Sequence, residues 1–480
     1  MIRINLLNPK LRKTSAITKL FLKIFLLFNA VRWPDIQFRK PKQQPPKTVI
    51  GAGVDMDTGK TVEIWFPDSD RRGHFWCFGT TRVGKTRILE LMLEQDIRKG
   101  YSVVIIDPKG DNELFSKVVQ LAMETERQEE LMLVTPIFPE FSARIDPLAY
   151  YYMPEELVGH IVSGVAVGRE PFFFNVAYEI SLVVVQALLM LAEVEGTGRS
   201  FNLNDVKNRI SRQELEKLRN EIASITHPDA PQLIMDIDKI LSNPPDYYSK
   251  VASSLRVALT ELTSCNIGKV IGMANENRFI RRLEQGKSVI LVVQLGSLMT
   301  RKAAFTVGKV IVSMIQSFVG RVFASARKVN PPLCLYIDEA QNVLYYGIED
   351  LFAKAGGAGV WVHGFCQSVS QLYATIGKDF GNVILDNTNT KIFMRVPDAD
   401  TALYVSKHFG TKKTLSPFLH VGDGMSARET EEEAVKPSDV LNLKAREFYL
   451  KGYVGNFKGA TMDVSELEIG EIALPQIVVN

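Results

Sequence analysis

Gly79-Thr80-Thr81-Arg82-Val83-Gly84-Lys85-Thr86 sets two glycines, a lysine and a threonine at the spacing G-x-x-x-x-G-K-[ST]. That combination suits a phosphate. Glycines let successive backbone N–H groups turn toward an anion, and a helix starting just after adds its positive end. Lys85 can then reach the terminal phosphates, and the Thr86 hydroxyl can ligate Mg²⁺. Residues 79–86, with Arg87 directly after them, form the candidate binding stretch for a nucleoside triphosphate. The alternative is a chance glycine-rich turn, and the surroundings argue against it. The apolar run His74–Phe78 predicts a strand before the loop, and Arg87–Lys99 predicts a helix after it.

A second set of chemistry-bearing residues closes another apolar run. Leu333–Ile337 leads into Asp338-Glu339, and an acid at a strand end is how P-loop proteins hold Mg²⁺. The neighbouring Glu339 can orient and deprotonate an attacking water. Gln367 follows the strand-like run Val360–Cys366, where it can sense the γ-phosphate or be an ordinary surface glutamine. Arg395 and Arg256 are candidates to stabilise transition-state charge, across a subunit boundary if the chain forms a ring. The competing role for either arginine is a structural salt bridge. Asp107 and Lys109 end the run Ser102–Ile106, at the edge where open α/β sheets meet ligands, and can support the site, unless Lys109 is simply solvated.

The elements that must position these groups alternate in type. Val49–Val54 and Thr61–Phe66 flank Asp57–Lys60 as a hairpin, and Pro67–Asp70 reads as a turn. Ser102–Ile106 and Leu131–Val134 predict strands separated by a helix over Glu113–Met123, the rhythm of a parallel sheet. Residues 154–272 then read as helical without a strand. Val176–Ala192 within them predicts a buried helix rather than a membrane span, because Glu179 and Gln186 interrupt it. Strands resume at Ser288–Leu295, Leu333–Ile337, Val360–Cys366 and Lys391–Val396, with a last one at Phe448–Val454. The acidic run Glu429–Glu433 predicts a solvated loop.

Charge and cysteine usage narrow the class. Residues 1–47 hold eleven Lys or Arg and the single acid Asp35, so they carry +10 of a total of +3 and leave −7 for the rest. A globally basic DNA-coating protein is not indicated. Ala16–Val31 is apolar but broken by Lys19 and Lys23, too short a run to span a bilayer, and suits a helix on an anionic membrane surface or docked on protein. Pro41–Pro46 reads as an extended linker. The four cysteines lie far apart, three of them in strand-like runs, which fits buried reduced thiols.

GTTRVGKTR, IIDPKGD, ARIDPL at Ala143–Leu148, LYIDEAQN and AGGAGVWVHGFCQS together resemble the TraD/VirD4-type coupling proteins of conjugation, in particular the TraD subgroup of integrative elements. The resemblance implies an α/β, RecA-like P-loop NTPase of the FtsK/HerA class with an inserted all-α domain. It divides the chain into a basic amphipathic segment and linker (1–47), a first ATPase part (48–153), the insert (154–272) and a second ATPase part (273–480). It implies ATP and Mg²⁺ at Walker A (Lys85, Thr86) and Walker B (Asp338, Glu339), with Gln367 on the glutamine motif that follows. It also implies a homo-hexamer at the cytoplasmic face of the bacterial inner membrane, handing relaxosome-bound DNA to a type IV secretion channel. Such proteins usually begin with transmembrane helices, so peripheral attachment or a membrane partner is expected here. The competing functions are a HerA/FtsK-like translocase for repair or segregation, and a recruitment platform in which nucleotide only switches assembly.

Overall fold

The computed structural model describes residues 45–165, 172–420 and 424–472; the expected amphipathic segment at Ala16–Val31 lies outside them. Strands form where β-branched and aromatic residues cluster. They are β1 Lys47–Asp55, β2 Thr61–Pro67, β3 Phe75–Phe78, β4 Ser102–Asp107, β5 Leu131–Val134, β6 Ile290–Gln294 and β7 Leu333–Ile337. After these come β8 Val360–Cys366, β9 Thr390–Phe393, β10 Thr411–His420, β11 Gly424–Glu433, β12 Glu447–Gly452 and β13 Gly455–Thr461. All but β10 and β11 join one sheet, in the order β2-β1-β13-β12-β9-β3-β8-β7-β4-β6-β5. From β9 to β5 neighbouring strands run parallel, and from β2 to β12 they run antiparallel.

Parallel strands need cover on both faces, and the period-two alternation supplies two cores. Phe75, Cys77, Val103 and Ile105 point to one face, where they meet Ile88, Leu89 and Met92 of helix α1 (Lys85–Arg98) and Phe115 and Val118 of α2 (Asn112–Glu124). Trp76, Phe78, Val104 and Ile106 point to the other face and join the larger core. That core includes a helical run between β5 and β6: α3 Pro154–Ser163, α4 Phe172–Glu195, α5 Leu203–Arg209, α6 Arg212–Ala223, α7 Ala230–Leu241, α8 Pro245–Val251 and α9 Ser253–Thr263. The sequence marks these starts. Asn202 caps α5 by accepting from the amides of Asn204 and Asp205, Ser211 caps α6 through Glu214, and prolines open α3 and α8. The described residues from Lys47 onward form one compact unit.

Longer helices that follow among the described residues are α10 Arg278–Glu284, α11 Arg301–Ala324, α12 Glu349–Ala358, α13 Val369–Ile376, α14 Lys378–Asp386, α15 Ala399–Phe409 and α16 Pro437–Leu441. By length and composition α4 and α11 could each cross a membrane. Both instead face the core: Ala177, Ile180, Val184 and Ala187 of α4 share it with Val307, Val310, Ile311 and Ile315 of α11. Cys77, Cys334 and Cys366 are buried free thiols and Cys265 is an exposed one.

Several expectations need correction. Glu429–Glu433 is not a loop but the end of β11, paired with β10 in a hairpin separate from the main sheet. Cross-strand charge explains it: Lys412 stands opposite Glu432, Lys413 opposite Glu431, and Lys413 Nζ lies 3.2 Å from Glu429. Pro67–Asp70 is not a simple turn, since Asp68–Gly73 is a 3₁₀ helix with Asp68 and Arg71 buried. The last strand is followed by another, β13, which ties β12 to β1.

The helical run contains an acid-sensitive joint. His160 of α3 lies buried with Nδ1 2.9 Å from Ser313 Oγ of α11, and burial, helped by the Arg321 charge, lowers its pKa to about 3. Below the unfolded value near 6.5 the unfolded chain binds a proton that the folded chain refuses, so stability is full above that pH and lost as pH falls toward 3. We expect His160 alone to contribute a slope of about 1.4 kcal/mol per pH unit in that window. Urea midpoints measured at pH 7 and pH 5 will check it, with a shallower slope expected for His160→Asn.

Candidate nucleotide site

The loop from β3 to α1 owes its shape to backbone that few residues tolerate. Gly84, just before α1, has φ 109°, and Arg82 sits in the left-handed region at φ 60°. A Cβ at Gly79 would fall 2.9 Å from Met394 Cβ and from Val83 Cγ2, so glycine is needed there for packing. The loop is fixed from outside by Gly79 N donating to Cys366 O at 3.1 Å and Thr80 N donating to Arg395 O at 2.9 Å. Lys85 is buried, and its Nζ donates to Gly79 O at 2.6 Å and Thr80 O at 2.9 Å. Two loop carbonyls thus hold the ammonium at the mouth of the turn.

Across this turn stand the β7 carboxylates. Asp338 N donates to Ile106 O at 3.0 Å, which sets the end of β7 beside the end of β4. Burial, with the nearby Glu339 charge added, raises the Asp338 pKa despite the Lys109 ammonium. A carboxyl buried in this way calls for a charge partner or a metal ion. Glu339 adopts φ 46°, a left-handed conformation uncommon for glutamate, which turns its side chain into a cluster of donors. Lys109 Nζ lies 2.9 Å from Glu339 Oε1 and 3.4 Å from Asp338 Oδ2, and Gln341 Nε2 donates to Glu339 Oε2 at 2.7 Å. Gln367 Nε2 donates to both Glu339 oxygens at 3.2 and 3.3 Å. Burial works against ionisation of Glu339, but Lys109 and the two amides outweigh it and hold the pKa below the usual value. Asp107, buried at the end of β4, accepts from Lys109 N and Asp111 N and so shapes the loop that carries Lys109. Burial lifts its own pKa to about 6.

Thr80–Arg87, Lys109, Asp338, Glu339, Ala445 and Arg446 enclose a cavity of about 540 Å³. Its size, the glycine-shaped turn, the held ammonium and the buried acid fit a nucleotide triphosphate tail with a divalent cation. Gln367 reaches this group through Glu339. Arg395 touches it only by its carbonyl, with an exposed side chain, and Arg256 is exposed on α9; neither arginine lines the cavity.

Arg446 escaped the sequence reading. Its backbone lies at φ 72°, its amide donates to Val83 O at 2.7 Å, and its guanidinium is held by Thr461 O at 3.0 Å and Asp463 at 2.7 Å. The antiparallel wing brings it to the loop from far along the chain. Only the pairing of β13 with β1 could have revealed it.

Residues 332–444, which hold Asp338, Glu339 and Gln367, match the family described as the TraM recognition site of TraD and TraG. Type 4 coupling protein DotL of Legionella pneumophila is 31% identical over 127 residues, a match spanning 23% of this chain and 16% of DotL's length. The unbound coupling protein TrwB lacking its first 70 residues superposes with a TM-score of 0.62 at 17% identity, over 88% of this chain and 94% of that one. TrwB with ADP and Mg²⁺ superposes at 0.57 with 18% identity, over 83% and 87%. The expected resemblance to TraD/VirD4-type coupling proteins therefore rests on sequence over part of the chain. The RecA-like fold rests on structure over most of it.

Proposed function

We propose that this chain is an ATP-hydrolysing, DNA-translocating coupling protein that links relaxosome DNA to a type IV secretion channel. The observation that carries the reading is Glu339, braced by Lys109, Gln341 and Gln367 and lining the same cavity as Lys85. Residues 79–87 hold the phosphates, with Lys85 turning from the loop carbonyls to the terminal ones. Thr86 and Asp338 would hold Mg²⁺, which when bound neutralises charge developing on the phosphates. Ionised Glu339 accepts the proton of the attacking water. Gln367, bonded to that carboxylate, is the group that feels its change of state. Arg395 is assigned the transition-state contact from a neighbouring copy, consistent with its exposure beside the loop.

The helices between β5 and β6 act as the insert of the motor, residues 154–272, between ATPase parts 48–153 and 273–480. The coupling partners are the relaxosome, through the region similar to the TraM recognition site, and the channel's inner-membrane components. A homo-hexamer at the cytoplasmic face of the inner membrane, attached peripherally or through a partner, completes the reading. Deleting the gene from a donor strain should abolish conjugative transfer without affecting growth, and Glu339→Gln should fail to restore it. Transfer surviving in the Glu339→Gln strain would leave only a recruitment platform.

A further inference from the structure

The turn after β6 exposes apolar side chains that a folded protein ordinarily covers. Leu298 is 91% exposed, the most of any large apolar residue among the described residues, and the adjacent Met299 is 71% exposed. The turn is nevertheless well tied. Met299 N and Thr300 N both donate to Gly296 O, at 2.9 and 3.3 Å. Gly296 has φ 65°, and a Cβ there would come within 2.8 Å of Ile137. Leu298 and Met299 are thus presented on a fixed knuckle.

Its surroundings point to a polyanion. From Gln285 to Ile337 the sequence contains no acidic residue, and of the cations in that stretch Arg301 and Lys302 stand beside the knuckle, while Arg321 and Arg327, at the far end of α11, are paired with Glu156 and Glu284. This stretch lies in the part of the chain whose charge is otherwise net negative. Arg301 and Lys302 follow the knuckle at the start of α11. Lys302 is paired with Glu261 at 2.8 Å, whereas Arg301 pairs with no carboxylate of the described residues and lies over the Phe305 ring.

The knuckle is also wired to the candidate site. Ser297 N donates to Pro108 O at 2.7 Å and Leu295 N to Asp107 O at 3.1 Å. The next residue, Lys109, carries the ammonium that bridges Glu339 and Asp338. One short loop therefore separates the exposed pair from the two carboxylates.

We infer that the Leu298–Met299 knuckle is a nucleic-acid contact, its apolar pair lying against base faces while Arg301 and Lys302 meet the backbone phosphates. The contact is sequence-blind, since neither an aliphatic surface nor a phosphate contact reads base identity. Movement of the Asp107–Lys109 loop on hydrolysis shifts the knuckle along the strand. This inference rests on the motor reading above.

The test uses the full chain with p-benzoylphenylalanine in place of Met299, irradiated with labelled oligo(dT) or a duplex of mixed sequence. Covalent capture that fades with added salt is expected, far above that from the same group at exposed Met235 of α7 (65% exposed). Capture no greater than at Met235, or capture of a second copy of the chain instead, overturns the inference. The double variant Leu298→Asp, Met299→Asp should weaken oligo(dT) binding about tenfold, from lost stacking and added repulsion; unchanged affinity also overturns it. A fluorescent ATP analogue keeps the two readings apart. Nucleotide bound normally without DNA capture refutes the knuckle alone, whereas nucleotide binding indifferent to Lys85→Ala refutes the site.

Discussion

Glu339→Gln should lower ATP turnover by about 10²–10⁴-fold while leaving nucleotide bound. The substitution keeps the shape of the side chain, so the donors Gln341 and Gln367 meet an amide rather than an empty space. What it removes is the base. Glu339 is held ionised against its burial by Lys109 and two amides, and an amide cannot take a proton from water. Binding should persist because Lys85 and the loop carbonyls are untouched. Fluorescent nucleotide titration beside a phosphate-release assay separates the two quantities. Parallel losses in affinity and turnover would assign Glu339 to binding instead.

Asp96→Ala should destabilise the fold by about 3–5 kcal/mol, the usual result of stripping one partner from a buried ion pair. Asp96 lies on the far end of α1 from Lys85, fully buried, and both its oxygens take the guanidinium of Arg71 at 2.5 Å. Tyr336 of β7 donates to it at 2.6 Å, Arg71 Nε lies 3.1 Å from His363 Nε2 of β8, and Arg71 Cζ lies 5.1 Å from the centre of the Trp361 ring. The same elements end at the site: α1 begins with Lys85, β7 runs into Asp338, and β8 into Gln367. The network thus ties the far end of α1 to β7 and β8, the three elements that lead to Lys85, Asp338 and Gln367. Without Asp96 the buried Arg71 charge keeps only Asp68, 3.9 Å away and already paired with Lys99. The double change Arg71→Met, Asp96→Leu should recover much of the loss by removing both charges. Urea unfolding reads both variants, and an unchanged midpoint for Asp96→Ala would show the pair to be dispensable.

The contrast between these two regions shows what a linear reading can reach. Residues 79–86 and Asp338-Glu339 were legible because each motif sits within a continuous strand–loop or strand–turn segment, where spacing alone reports geometry. The network was not legible. Asp68 and Arg71 lie in a polar stretch that resembles any exposed turn, and only the approach of α1, β7 and β8 shows them to be buried. Arg446 was hidden for a related reason, since β13 pairs with β1 across nearly the whole chain. The acidic strand end at Glu429–Glu433 misled because its stabilising lysines lie on the partner strand. Long-range pairing, not local pattern, separates what was seen from what was missed.

The central claim is that Lys85, Asp338 and Glu339 drive nucleotide hydrolysis in the service of moving DNA. Its most direct test is the rate of phosphate release from ATP by the full chain with and without DNA, using Lys85→Ala as the blank. The account predicts hydrolysis that DNA accelerates and that Lys85→Ala lowers by about a thousandfold or more, through loss of charge stabilisation at the phosphates. A folded, assembled protein whose hydrolysis ignores DNA, or survives Lys85→Ala, would contradict it.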